Sequence, residues 1–326
     1  MNKKNRTGNR GIALILVILM IGVLVAITIE LNRSTRSDIH EAANLSDGIK
    51  LLYIAKSGFD AGAALLLADR QPYDALTADW GNVRLIEEKS KLLFPDGSFT
   101  VPIEDEAGKI NVNRLAEGNA YNPDIRDLLI RLLKLPEFNL DSRKIEEIAD
   151  AIKDWIDPDE ELTGAGAESS HYQALDRPYS AKNGPLDCIE ELLMIRGMTD
   201  RLYYGTKETP GLRQLLTVHG DGKINLNTAP KLVLRSLSPD MTAELADRMD
   251  EYRKNREHDL SSAAWYQKIP DMANVSIESR LVTTRSNYFR IVSTGTLNRM
   301  TRTVSGVIRR GPDRTTYKLL SWKADG

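Results

Sequence analysis

Between residues 157 and 168 the chain places the carboxylates Asp157, Asp159, Glu160, Glu161 and Glu168 in a loop punctuated by Pro158, Gly164 and Gly166. Oxygen ligands at irregular spacing suit Ca²⁺, which takes six to eight of them and tolerates uneven geometry. Asp157, Asp159 and Glu168 are the candidate ligands, in a spacing unlike that of an EF-hand. The competing reading is a solvated acidic loop ahead of a helix that begins near Asp187. No catalytic set accompanies these acids. His40, His171, His219 and His258 are scattered, without a His-x-x-x-His pair for zinc. There is no Gly-x-Ser-x-Gly elbow and no Gly-Lys-Ser/Thr phosphate loop, so an enzyme is not expected. Cys188 is the only cysteine, which excludes an internal disulfide and a cysteine-built metal site. A lone cysteine of this kind is expected to be a buried, weakly polar filler.

The elements that position these groups begin with an anchor. Ile12 to Ile29 is an apolar run interrupted only mildly, by Gly22 and Thr28. As a helix it would be about 27 Å long, close to the hydrocarbon thickness of a bilayer. Lys3, Lys4, Arg6 and Arg10 precede it, and no acid occurs before Glu30. The positive-inside rule therefore leaves the N-terminus in the cytoplasm and the remainder outside. The run ends in Ile-Glu-Leu-Asn-Arg rather than a small-x-small cleavage site, which argues against an ordinary secretory signal. Across the 326 residues, 28% are charged and 41% apolar with a formal net charge of −2, so no bulk basic field is available for nucleic acid.

Arg10-Gly11 followed by Ile12-Ala13-Leu14 resembles the leader of type IV prepilins and pseudopilins. The resemblance implies cleavage between Gly11 and Ile12 by a prepilin peptidase, and N-methylation of Ile12. Most members of that family carry Glu at the fifth mature position, where it pairs with the amino terminus of a neighbouring subunit. Here that position is Leu16. A carboxylate within the bilayer needs a partner, and a subunit without one has no amino terminus above it to neutralise. Leu16 thus marks the end of a fibre.

Beyond the membrane, Ala42, Leu45, Ile49, Leu52, Lys56, Phe59, Ala63 and Leu66 alternate at spacings of three and four. They predict one stripe on a helix continuing to about Asp69. Val83 to Glu87 and Phe99 to Ile103 read as strands around a turn at Pro95-Asp96-Gly97. Helical periods follow from Asn122, with Leu128, Leu129, Leu132, Leu133 and Leu135 on one face and Ile145, Ile148, Ile152 and Trp155 on the next. Further helices are predicted at Leu186 to Ile195, Lys231 to Leu237 and Thr242 to Arg253. Strand signals return at Tyr288 to Val292, Thr301 to Ile308 and Thr315 to Leu320, as a meander. Helices in the middle and strands at both ends suggest a helical domain inserted into, or packed beside, a small α/β head.

Gly108-Lys109-Ile110-Asn111-Val112-Asn113 recurs as Gly222-Lys223-Ile224-Asn225-Leu226-Asn227. In each copy the apolar residues predict a short buried strand and the second Asn a cap for the next helix. Pro230 suits the first turn of that helix. Ile-Asn-x-Asn-Thr-Ala also opens helix-hairpin-helix modules that bind the DNA backbone, and Glu190 to Met198 looks like part of another. Those modules offer a Gly-containing hairpin and a helix N-terminus to phosphate. Here the hairpin is Leu237-Ser238-Pro239-Asp240-Met241, followed by Glu244, Asp247 and Asp250. A scaffold is favoured over nucleic-acid binding.

Asp154-Trp155-Ile156-Asp157-Pro158-Asp159, Gly166-Ala167-Glu168 and Tyr172 resemble the type II secretion minor pseudopilin K family. So do Tyr179, Asn183 to Leu186, Glu190-Glu191-Leu192, Gly197-Met198-Thr199 and Ile224 to Pro230, and Leu16 in place of Glu is typical of it. The resemblance spans the chain from the leader to the strand near Tyr288. It implies a subunit at the tip of the periplasmic pseudopilus, with the smaller minor pseudopilins I and J, the major pseudopilin, the prepilin peptidase and the inner-membrane secretion platform as partners. Metal binding is known in that family and supports calcium here. Where the family often shows Ala-Glu-Asp, this chain has Ala167-Glu168-Ser169, a departure at one ligand position.

The expected fold is α+β, with a long N-terminal transmembrane and stem helix, a pseudopilin-like α/β head and a large inserted all-α domain of SAM or helix-hairpin-helix-like type. The expected divisions are a cleaved leader (1–11), a transmembrane helix (12–30), a periplasmic stem (31–70), the first part of the head (71–110), a helical insertion with two helix-hairpin-helix-like units (111–280) and the C-terminal strands of the head (281–326). The expected location is the inner membrane, single-pass, with the C-terminal domain in the periplasm. The alternatives are a membrane-tethered helix-hairpin-helix DNA-binding protein and a minor pilin of a type IV pilus.

Overall fold

The computed structural model describes residues 10–325. Lys3, Lys4 and Arg6 of the basic cluster, like most of the leader, lie outside the described residues. The chain opens with a single helix, α1 (Arg10–Ala68). From Gly11 to Ser46 its residues are exposed, including all the large apolar side chains from Ile12 to Ile29. A stretch that apolar is stable only with lipid or other helices around it. The protein therefore has one N-terminal helix suited to a single-pass membrane anchor.

From Leu51 onward α1 becomes the backbone of a head. Leu51, Ile54, Ala55, Phe59, Ala63 and Leu66 are buried against a sheet. The sheet comprises β1 (Gly97–Thr100) and β2 (Ile103–Asp105), with the C-terminal meander described below; α2 (Val83–Leu93) packs beside β1. The expected strand at Val83 to Glu87 is thus a helix. Its Asn82 side chain accepts from the Leu85 N–H, and Ile86 and Ser90, four residues apart, form the buried edge. A five-residue window, Val-Arg-Leu-Ile-Glu, is too short to distinguish the two periods. The stem stripe is also only partly internal, because Leu45 and Ile49 stay exposed and the head covers the helix only above them.

Between head segments lies a second, helical unit with its own core. In chain order it contains β3 (Ile110–Asn111), β4 (Ala116–Glu117), β5 (Ala120–Tyr121), α3 (Pro123–Leu133), α4 (Ser142–Ile156), α5 (Ser169–Gln173), α6 (Asp200–Tyr204), β6 (Leu216–Thr217), β7 (Ile224–Asn225), α7 (Lys231–Ser236), α8 (Ala243–Lys254) and β8 (Val282–Thr283). Asn122 and Asp141 cap α3 and α4 with side-chain oxygens, and Pro123 takes the first turn of α3. Residues 189–194 form a 3₁₀ helix where an α-helix from Leu186 to Ile195 is expected. Cys188 stands at its N-cap and is exposed, contrary to the expectation of burial. A cap position leaves the helix axis at the surface, so the thiol has no core to enter.

The two Gly-Lys-Ile-Asn repeats each make a two-residue parallel bridge, β3 with β6 and β7 with β8. The second Asn of each copy does not cap a helix as expected. The first Asn closes the turn, its side chain accepting from the Asn113 or Asn227 N–H. The second then reaches distant groups: Asn113 bonds the backbone of Leu186 and Val218, while Asn227 donates to Leu260 O and accepts from the Trp265 indole. The spacing served tertiary clamping because the turn had already been satisfied locally.

The chain returns to the head as β9 (Tyr288–Leu297), β10 (Met300–Arg310) and β11 (Tyr317–Asp325), an antiparallel meander in the order β1-β9-β10-β11 with β2 also on β9. Where the units meet, polar groups are fully buried. Arg310 donates to Asp74 Oδ1 and Ser286 O, each at 2.6 Å, and to Leu66 O at 3.2 Å. Asn225 of the second repeat donates to Asp74 O, Asp105 Oδ2 and Ser286 Oγ. Burial raises the Asp105 carboxyl to about 6, despite hydrogen bonds from Ser286, Thr228 and Asn225. Ionising it therefore opposes folding as pH rises toward that value.

Glu106, beside it, titrates the other way. Burial alone would raise its pKa, but Lys109, Arg290 and Thr217 outweigh that and hold it at about 2. Lys109 Nζ lies 3.3 Å and Arg290 Nε 2.8 Å from its carboxylate. Its stabilisation, on the order of 3 kcal/mol, is present above pH 4.5 and is lost as pH falls toward 2. Urea unfolding of the domain without its membrane span should show that acid loss, and Glu106→Gln should remove it while lowering stability at pH 7. The helix–sheet approach offers a second check. A Cβ on Gly58 would meet Ser293 Oγ at 2.2 Å and the Phe99 ring at 2.8 Å. Gly58→Val should cost about 1–3 kcal/mol, read as a lower urea midpoint with unchanged slope.

Candidate functional site

The acidic loop is built by α4 and the segment that folds back over its C-terminal end. Asp150, Asp154 and Asp157 lie four and three residues apart, on one face of that helix end. Gly164 and Gly166 let the loop press against that face. A Cβ at either position would lie within 2.4 Å of the Asp150 or Asp154 carboxylate, and Gly164 has φ +49°. Backbone N–H groups then tie the loop down, Ala165 to Asp150 at 2.9 Å and Thr163 to both Asp154 oxygens at 3.2 Å.

This folding gathers Asp154, Asp157 and Glu168, with one oxygen of each within 4.8 Å of the others, and all three are buried. Lys153 contacts Asp157 Oδ2 and also donates to Thr163 Oγ1 at 2.8 Å. One ammonium thus pairs with Asp157 and is the only cation in contact, among the described residues, with this group of three carboxylates. Asp157 Oδ1 and both oxygens of Glu168 have no hydrogen-bond partner. Burial, followed by the Asp154 and Asp157 charges, pushes the Glu168 carboxyl up to about 8. Burial raises the Asp154 and Asp157 carboxyls as well. Buried oxygens left without donors carry a desolvation cost that a bound cation would relieve. The donor set, all hard oxygen, fits Ca²⁺.

Of the expected ligands, Asp157 and Glu168 come together. Asp159 does not: its carboxylate accepts from the Glu161 N–H at 2.7 Å and closes a local turn outside the triad. Glu160 is likewise engaged, by Ser169 and Asn183. Asp154 is the residue that reading the loop alone overlooks. The signal was present in the helical spacing of Asp154 and Asp157, three apart at the end of a predicted helix.

The other marked positions lie on the anchor. Gly11, Ile12 and Leu16 are on the exposed start of α1, and along that helix the first described carboxylate is Glu30. The region expected to compete as a DNA hairpin is internally neutralised. Lys231 pairs with Asp247 at 2.7 Å, and Arg253 and Lys254 pair with Asp250.

An apolar single-span helix that continues into an α/β head, with that helix as the centre of the head's core, defines a pilin-like subunit. A family model described as "Type II secretion system (T2SS), protein K" matches residues 108–207. Type II secretion system protein K of Pseudomonas aeruginosa is 25% identical over 325 residues, covering 94% of this chain and 91% of that one. The protein of the same name from Aeromonas hydrophila is 25% identical over 208 residues, 59% of this chain and 60% of the relative. The crystal structure of the GspK-GspI-GspJ complex from the enterotoxigenic Escherichia coli type 2 secretion system contains a chain with the same fold. Its TM-score is 0.70 at 21% identity, covering 88% of this chain and 99% of that one. The chain is similar to type II secretion system protein K over nearly its whole length, and this likeness is that of a minor pseudopilin of type II secretion.

Were the triad to hold calcium, Asp154→Asn and Glu168→Gln should each remove most of that affinity from the soluble domain, whereas Asp159→Asn should change it less than threefold. Isothermal titration of the three variants checks this assignment; equal losses for Asp159→Asn would return the ligand set to the loop.

Proposed function

We propose that this protein sits at the tip of the type II secretion pseudopilus, where it helps initiate or cap the fibre that exports folded proteins across the outer membrane. The observation that carries this reading is the apolar residue Leu16 inside the anchor helix, combined with a head enlarged by a second domain. A subunit with no buried carboxylate makes no demand for an amino terminus above it. A head with a second core is too bulky to be followed by another subunit stacked on top.

The prepilin peptidase cuts between Gly11 and Ile12, leaving Ile12 as the N-methylated first residue. The N-terminus faces the cytoplasm and the head the periplasm, as the basic cluster and the positive-inside rule support. The smaller minor pseudopilins I and J are the direct partners, a reading supported by the complex in which the structural relative was crystallised. The major pseudopilin extends the fibre below, on the inner-membrane platform. Calcium, held by Asp154, Asp157 and Glu168, would join the end of α4 to the loop at residue 168 and lower the charge of the buried triad. The protein's role is assembly, without catalysis.

Two measurements test this reading. Gly11→Glu should block processing, seen by mass spectrometry as retention of the eleven-residue leader and loss of the new Ile12 terminus. Co-expression with I- and J-type minor pseudopilins of the same organism should yield a stable complex of the three soluble domains by size-exclusion chromatography. Failure of that complex to form would remove the basis for the tip assignment.

A further inference from the structure

Lys153 lies in the last turn of α4 with only 4% of its surface exposed. A lysine near a helix C-terminus ordinarily offers its ammonium to water, where it favours the helix dipole at little cost. A buried ammonium costs free energy unless it is paired and hydrogen-bonded. Here the charged head turns inward. It contacts Asp157 Oδ2, donates to Thr163 Oγ1 at 2.8 Å and lies 5.8 Å from the centre of the Tyr121 ring. Tyr121 is itself fixed, its hydroxyl donating to Asp150 Oδ1 at 2.5 Å. Arg196, which also reaches the loop, is spent on the Gly166 carbonyl at 2.9 Å.

These contacts do in part what a metal in the triad would do. Asp157 stands at the end of α4 and Thr163 in the loop that folds back over it, so the ammonium already ties the two segments together. The tie is incomplete, because Asp157 Oδ1 and both oxygens of the buried Glu168 remain without partners. Those free oxygens are what a hard divalent ion takes. An ion bound through Asp157 would stand a few ångströms from the ammonium, on the same carboxylate. Like charges that close, away from water, repel strongly. The Thr163 hydroxyl and the Tyr121 ring are neutral and owe nothing to Asp157. The ammonium therefore keeps a seat when that carboxylate is given up to an ion.

We infer that Lys153 is a resident counter-ion of the triad, which holds the end of α4 against the loop without metal and lowers calcium affinity by competing for Asp157. This rests on the calcium reading above and names what regulates that site. A lysine that only braced Asp157 for ligation would raise affinity, so the sign of the effect separates the two roles. The test uses the full-length chain in detergent, as wild type and as Lys153→Gln, which removes the charge and keeps a polar side chain of similar reach. Both are purified in calcium chloride and titrated against a chelator of known affinity, so that a variant folding only with the metal is still measured. Thermal unfolding with and without calcium chloride is the second readout. Lys153→Gln should bind calcium at least about tenfold more tightly than wild type. Its metal-free form should melt below metal-free wild type, and calcium should raise its melting temperature by more. Binding by Lys153→Gln alone also supports the role, since the ammonium then holds the place outright. If wild type binds and Lys153→Gln binds equally or more weakly, Lys153 is a brace, the inference falls and the calcium reading stands. If neither binds, the calcium reading falls and the inference with it.

Discussion

The architecture depends on one buried ion pair. Arg310 near the end of β10 and Asp74 just after the stem are both removed from water; backbone carbonyls, Arg314 and the Ser286 N–H supply further partners, while the Arg310 Nε–H is left without one. A buried pair gains little over apolar packing, but loss of one member leaves an uncompensated charge at a cost of about 3–5 kcal/mol. Here the pair is placed where the stem ends, the sheet ends and the second repeat arrives. Asn225, Asp105 and Ser286 extend it into the helical unit. The joint between the two cores is thus specified by directional bonds, whereas each core is held by apolar burial.

That division explains how a domain of more than 150 residues can occupy one loop of a small sheet. The helical unit has its own core from Ile110 to Val282, and enters and leaves the head near the same polar cluster. The first repeat docks through Glu106, Lys109 and Arg290, the second through Asn225 and Thr228. Duplicate motifs therefore perform parallel tasks at the two crossings. The acidic triad lies away from these crossings, at the end of α4, where charge can be gathered without weakening the joint.

The elements with long periods were legible in the sequence. Leu128 to Leu133, Ile145 to Trp155 and the C-terminal meander were read correctly because each spans several turns or a full strand pair. The mixed helix-and-strand class and the anchor followed from the same kind of pattern. What escaped depended on distant partners. Val83 to Glu87 is rich in branched apolar residues like a strand, and only the Asn82 cap and the packing of Ile86 and Ser90 make it helical. Asn113 and Asn227 carry cap-like spacing but spend their side chains on groups dozens of residues away. Asp154 was read only as part of a helix and Asp159 as a candidate ligand, whereas the fold brings Asp154 beside Asp157 and Glu168 and leaves Asp159 in a local turn. The lower stripe of α1 looked like core because periodicity records which side is apolar, and says nothing of whether the same chain covers it.

Leu16 has a mechanical consequence. A charge paired inside a membrane acts as a detent, since axial displacement of the helix would break it. An anchor whose exposed face from Ile12 to Ile29 is uniformly apolar has no such detent. It can slide by a turn along its neighbours with nearly the same dispersion energy at each step. On the tip reading proposed above, the height at which this subunit comes to rest would be dictated from outside the bilayer by the folded head and transmitted downward through α1.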